Sequence, residues 1–554
     1  MKTGNLLIEV GCEDLPSWAG EHFVNRFRPL FLNELKANKL EPGDIMFFFT
    51  PRRFVILVKN LPSETPAERK MVMGPKYENA FDEKGHPTAA ALGFARAHNV
   101  QVSSLKIRDS NGKKVVCTEK IIPGVSSNSV VSEIFPSILR KIDIPRGMRW
   151  NESEDIFYRP VRWILAFFGK EIVNIEFGGA KSSRYTFGHR TLNPKRIKVL
   201  DWKDYFDKVQ KAFVVLGEDL REKFIFGLLE KTIKKGEDFE KSAAKNLINL
   251  IEYPCIIRCK FPDIDCKLPE DVLRVLIEKA KGIPIFYDGH LKKEFFVVSD
   301  GNSNTIVQEN YENLLKTRIL DAQFFFDSDL AISFDDMGKR LSRIVFHQRW
   351  GSLAQKVDRL KSISNKIYDL LGLEPSRKHI LVEAAHFCKF DLASEMVREF
   401  PELHGIMGAI YAGHAGKDES ICRVIAQYKY PVYPDDPLPE DECAIVLGII
   451  DRLDFICGFI TAGGDVSGSE DPYGLRRTAS GFFSLVQRLG VEADYSDVVR
   501  KVLESYGIIG SEMQLSEVRV NEFLMQRFEA YLESGGFPKG LRTSVISIDG
   551  MNFV

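Results

Sequence analysis

Alternating apolar and polar positions dominate the first part of the chain. LLIEVGCEDLP is an apolar run ending at a proline turn, which predicts a strand followed by a helix start. Trp18 to Leu40 has helical periodicity with one apolar face. IMFFFTPRRFVILVKNL predicts a strand pair, or one bent strand, around Thr50-Pro51-Arg52-Arg53, with both arginines at an exposed turn. Gly85 to Val100 predicts a helix of small residues carrying Arg96 and His98. Asn111 to Val131 predicts a hairpin that turns at Asn111-Gly112. Asp201 to Lys260 is mostly helical by period, with a helix end at Tyr253-Pro254 and then a strand. Another helix starts near Pro269, where acidic residues in the first turn suit the positive end of the helix dipole. FFVVSDGN reads as a strand and turn. Tyr311 to Phe326 reads as an amphipathic helix with Arg318 and Asp321 on one face.

From Ser333 onward the period is almost wholly helical, with a break near Trp350-Gly351. The Pro-rich stretch Tyr430 to Pro439 separates two helical blocks. Val491 to Val554 reads as helical to about Ser534 and Gly-rich thereafter. These patterns predict an α+β multidomain fold. Residues 1–330 form an N-terminal mixed α/β region of more than one module, 331–480 a helical domain, and 481–554 a C-terminal helical segment. There is no apolar run of transmembrane length and no signal-like start, so no membrane span or secretory leader is expected.

Composition adds little until it is taken locally. The 554 residues are 44% hydrophobic and 28% charged with a net charge of −1, which excludes polyanion binding by bulk charge. Between Arg140 and Arg196, however, twelve Lys or Arg face six Asp or Glu, a local excess of +6. Arginines interleave with aromatics there, at Arg149-Trp150, Tyr158-Arg159 and Arg162-Trp163. Guanidinium groups beside rings suit phosphate contact with base stacking. Arg52 and Arg53 suit a phosphate contact as well. The plainer alternative makes Trp163, Ile164, Phe167 and Phe168 core and the arginines its rim, and both can hold together. Cys255, Cys259 and Cys266 have loose spacing and no second half of a zinc pattern, which favours buried thiols in a reducing cytoplasm.

No nucleotide cradle is present: there is no GxxxxGK[ST], and no GxGxxG between a strand and a helix. HGIM at His404 differs in order from the HIGH signature, and no KMSKS follows. GSEDPYGLRR could be stretched into an ATP-gripping arginine motif, and no GxSxG elbow occurs. The helical block has the layout of an HD-type metal phosphohydrolase, with His347, the Phe390-Asp391 pair and Asp451 as candidates. Phe390 stands where a ligating His would be and has no lone pair to donate, which weakens any metal site. His386 or His404 could substitute only if helix geometry allowed. Asp391 then reads as a helix-packing or partner-facing carboxylate.

KFDLASEMVREFPELHGIMGAIYA and SGSEDPYGLRRTASG resemble the beta subunit family of heterotetrameric bacterial glycyl-tRNA synthetase. LLIEVGCEDLP, TPRRFVILV, AALGFARAHNV, YRPVRWILAFFG, TFGHRTLNPK, LLKTRILDAQFFFDSDL and FHQRWGSLAQKVDRL extend the resemblance over nearly the whole chain. The resemblance implies an α2β2 ligase that joins glycine to tRNA(Gly) with ATP in the cytoplasm. A separate alpha subunit would activate glycine using ATP and Mg, with no catalytic residue, metal or cofactor on this chain. It further implies N-terminal modules like those of phenylalanyl-tRNA synthetase beta chains, and an HD-like helical domain over 331–480. On this reading Arg52, Arg53, Arg149, Arg159, Arg162, His189 and Arg190 include tRNA backbone contacts. An HD-type metal-dependent phosphohydrolase is the alternative. The sequence departs from the family at Leu403-His404-Gly405, usually Leu-Gln-Gly, and at Ala426-Gln427-Tyr428, usually Glu-His-Tyr. Family members usually continue into a helical anticodon-binding domain, expected here to be missing or truncated.

Overall fold

Thr3–Cys12 is apolar on both faces, so it suits the middle of a covered sheet rather than an edge. In the computed structural model it lies there. The structure describes residues 2–553 except 83, 111, 112, 435, 464–472, 549, 550 and 552. Thr3–Cys12 pairs antiparallel with Arg53–Pro62 on one side and Val161–Phe168 on the other. Ile45–Thr50 extends the sheet beyond Arg53–Pro62, and Ala180–Ser183 joins Val161–Phe168 in parallel. Strand alternation then sorts the side chains. Leu6, Ile8, Val10, Ile56 and Ile164 face the helices Ala19–Ala37 and Ser127–Lys141. Leu7, Val55, Leu57, Leu165 and Phe167 face Tyr205 and Val209 of the helix Trp202–Lys211.

Two compact units divide the chain. The first, 1–261 with 280–313, holds the sheet just described, a two-stranded ribbon of Tyr185–Phe187 with Arg196–Lys198, and two larger sheets. One is a four-stranded antiparallel sheet in the order Glu237–Phe239, Gly282–Tyr287, His290–Asp300, Pro254–Lys260, packed against Ile225 and Leu229 of the helix Glu218–Thr232. The other joins Glu68–Lys76, Lys113–Ile122 and Lys106–Ser110. The turn at Asn111-Gly112 lies outside the described residues, but Asp109 pairs with Lys114 across it. The second arm ends at Ile122, well short of the expected Val131, because the helix capped by Ser126 takes over at Ser127.

The second unit, 262–279 with 314–554, is built mainly of helices, and among its described residues Val345–His347 pairs with Gly351–Ser352 in a short ribbon. That ribbon is the break expected near Trp350-Gly351. The next helix, Leu353–Leu370, starts with a reciprocal Ser352–Gln355 capping box. Its centre is the helix Glu442–Thr461, in which 16 of 20 residues are buried, so it is apolar all round rather than amphipathic. Leu353–Leu370, Lys378–Phe387, Leu475–Leu489 and Tyr495–Ser505 surround it. The stretch after Ser534, expected to be Gly-rich within a helical segment, forms a further helix at Lys539–Ile548. Among the described residues no helix is long and apolar enough to cross a membrane.

Candidate nucleic-acid interface

A row of residues crosses the central sheet of the first unit. Gly11 pairs with Arg53 on one neighbouring strand and Trp163 on the other. Directly paired residues project from the same face of a sheet. A Cβ on Gly11 would lie 1.9 Å from the Trp163 ring, so only glycine leaves room for that ring. The Arg53 guanidinium lies 5.4 Å from the ring centroid.

The exposed turn expected for both arginines holds only in part. Arg53 is the first residue of its strand and fully buried, with no route to a phosphate. Its Nη1 donates to Glu9 Oε1 at 2.9 Å and to the Phe187 carbonyl at 2.8 Å. Its Nε donates to Glu252 Oε1 at 2.9 Å, and Thr50 donates to the same oxygen at 2.6 Å. Two buried carboxylates thus share one guanidinium. Burial pushes the Glu9 carboxyl up from its ordinary range, against the pull of Arg53. His189 is also buried. Its Nδ1 accepts from the Thr191 and Leu192 amides, so the proton sits on Nε2, 3.0 Å from Asp300 Oδ1. Asp300 in turn accepts from the Glu252 and Tyr253 amides.

Above this buried layer the sequence-predicted arginines do meet. Arg52, Arg162 and Arg190, with Trp163, Phe187 and Pro194, line one cleft of about 300 Å³. Backbone bonds fix its walls: Cys12 N–H to the Arg52 carbonyl at 2.8 Å, Glu13 N–H to Pro160 at 3.0 Å and Leu15 N–H to Pro51 at 2.6 Å. Arg190 pairs with Asp14 at 2.6 Å, and Arg162 with Glu13. Arg52 approaches Asp14 only to 3.8 Å, and its enclosed Nε has no hydrogen-bond partner. Glu13, Asp14 and Phe187 went unmarked in sequence reasoning. Their signals were the acid pair in CEDLP and the aromatic in TFGHR.

Arg149 and Arg159 lie outside the cleft lining. Arg149 is exposed, and Arg159 is half-buried with its Nη1 on the Tyr158 carbonyl. The interleaved aromatics belong mainly to the core. Tyr158 is buried and bonded to His22 at 2.6 Å, and Trp150 packs against the helix-covered face. Cys259 is buried on Pro254–Lys260, and burial pushes its thiol up to about 12.

In the second unit the HD-like positions each have other work. Asp391 is fully buried. It bonds His404 Nδ1 at 2.9 Å and accepts from the Gly405 and Gly408 amides at 2.7 and 3.0 Å, at the start of the helix Ile406–His414. Burial raises its pKa, but His404 and the two amides outweigh that and hold it below the usual range. His404 Nε2 continues to the Tyr428 hydroxyl at 2.8 Å. Asp451 is held well below the usual range because Lys356 and Lys389, each at 2.8 Å, outweigh its burial. Phe390 packs on Phe334 and Phe387, and His347 stacks on Trp350 at 4.1 Å. Among the described residues these four share no hydrogen bond or ion pair, and no three His, Cys, Asp or Glu side chains converge as metal ligands. The ammonium groups on Asp451 occupy the place a cation would take, so the metal-phosphohydrolase alternative gains no support.

The fold and cleft describe an α+β multidomain protein with a cationic, aromatic-walled recess. The sequence model described as glycyl-tRNA synthetase beta subunit matches residues 6–547. Similar chains include the glycine--tRNA ligase beta subunits of Halothermothrix orenii, Thermodesulfovibrio yellowstonii and Aquifex aeolicus. The first is 34% identical over 98% of this chain and 79% of its own length. The others are 32% and 31% identical over 97% and 99% of this chain, and 79% and 80% of their own. The chain belongs to the glycyl-tRNA synthetase beta subunit family.

Proposed function

We propose that this chain is the tRNA-handling subunit of a glycine–tRNA ligase. It would bind tRNA(Gly) and support ATP-dependent glycylation in an α2β2 complex in the cytoplasm. The match over residues 6–547 carries this reading. Glycine activation, with its ATP and Mg, falls to the alpha subunit. No catalytic side chain, metal or cofactor is assigned to this chain. The helical block 331–480 is an HD-like body in which Asp391 caps a helix and Asp451 holds two lysines.

Of the seven expected contacts, Arg52, Arg149, Arg159, Arg162 and Arg190 are the proposed backbone contacts. Arg53 and His189 instead support the floor beneath them. The test is titration of labelled tRNA(Gly) with the full chain and with R162A/R190A at several salt concentrations. The reading expects weaker binding and a shallower salt dependence in the variant. An unchanged affinity sinks the assignment of these arginines.

A further inference from the structure

The cleft between Arg52, Arg162 and Arg190 has features that a backbone-tracking surface does not need. A duplex offers phosphates at its surface but keeps its base faces stacked, so an aromatic wall gains nothing from it. Here Phe187 and Trp163 sit 5.1 Å apart, centroid to centroid, at an interplanar angle of 61°, inside a ring of guanidinium groups. At about 300 Å³ the space lies at the small end of ligand pockets and has room for one nucleotide. The enclosed Nε of Arg52 makes no hydrogen bond and lies 3.8 Å from Asp14, so displacing Asp14 would take away the acid nearest to it.

The acids complete the picture. Arg162 is held by Glu13 and Arg190 by Asp14, so each of these cleft guanidiniums already carries an anionic oxygen. A phosphate accepts from two arginines in the same fork geometry as a carboxylate.

We propose that this cleft seats a single unstacked nucleotide from a single-stranded RNA segment. Its phosphate bridges Arg162 and Arg190, displacing Glu13 and Asp14, and its base lies against Phe187. This rests on the reading that the chain binds tRNA, and it names the part of an RNA that this site takes. It makes an unusual demand: removing the acids strengthens binding, because the arginines lose the intramolecular competitor.

The experiment titrates the full chain with three probes: intact tRNA(Gly), a five-nucleotide single-stranded RNA, and a blunt RNA duplex of equal nucleotide content. The chain carrying E13Q/D14N is expected to bind the single strand several-fold more tightly. F187A is expected to bind it about tenfold more weakly, as for loss of one stacked base, with little change toward the duplex. The inference is overturned if the duplex binds the cleft as well as the single strand does, or if E13Q/D14N weakens single-strand binding. It is also overturned if tRNA binds and the short strand does not, in which case the tRNA reading survives. If no probe binds, including tRNA, the tRNA reading itself falls. The acid variant shows a gain, so unfolding cannot mimic its expected result.

Discussion

Arg52 and Arg53 are neighbours of one chemical type, yet their environments are opposite. Arg52 sits in the turn and reaches the cleft, while Arg53 begins the strand and faces inward to Glu9 and Glu252. The sequence could not separate them, because Glu252 lies 199 positions away and only the assembled unit brings it to Thr50 and Arg53. R53M would leave two carboxylates buried without their cation, at a cost of about 3–5 kcal/mol, read as a lowered urea midpoint. R162A, at an exposed position, is expected to leave that midpoint essentially unchanged. Asp391 gives a second test. Its folded-state pKa is depressed, so its stabilisation is complete above the unfolded value of about 3.9 and fades as pH falls through the lower folded value. The stability difference between the protein and D391N is therefore expected to shrink as pH drops below about 4. A difference that grows with acid contradicts the assignment.

At the level of elements, periodicity read well wherever one face was buried. The strand Thr3–Cys12, the helix Ala19–Ala37 and the break before Leu353 all lie where the pattern placed them. Local chemistry misled where two signals competed. The apolar residues after Ile122 looked like a continuing strand arm, but the Ser126 side chain accepts from the Ser129 amide and starts a helix. Past the glycines near Ser534, Lys539–Ile548 is helical, in keeping with the helical segment expected there. His404 was legible as a departure in a motif, but not as the partner of Asp391, which also accepts from the amide of Gly405, a residue at φ 85°. S352A is expected to cost about 1 kcal/mol, measured by thermal or urea unfolding. A neutral result contradicts the capping role.

Across the whole molecule, the net charge of −1 conceals a basic segment whose arginines reach the surface in part. The family was legible because its motifs run in order along the chain. The cleft was legible only through its arginines, since Glu13, Asp14 and Phe187 acquire meaning by folding onto Arg162 and Arg190. Each of Arg149, Arg159, Arg162 and Arg190 that meets a phosphate is expected to lower the slope of log affinity against log salt by about 0.7–0.9 when removed. The most direct test of the account is reconstituted glycylation of tRNA(Gly), with this chain and an alpha subunit assayed together and each alone. The account predicts charging only in the mixture. Charging by the alpha subunit alone at the mixture's rate would contradict it, as would an inactive mixture of folded chains from one organism.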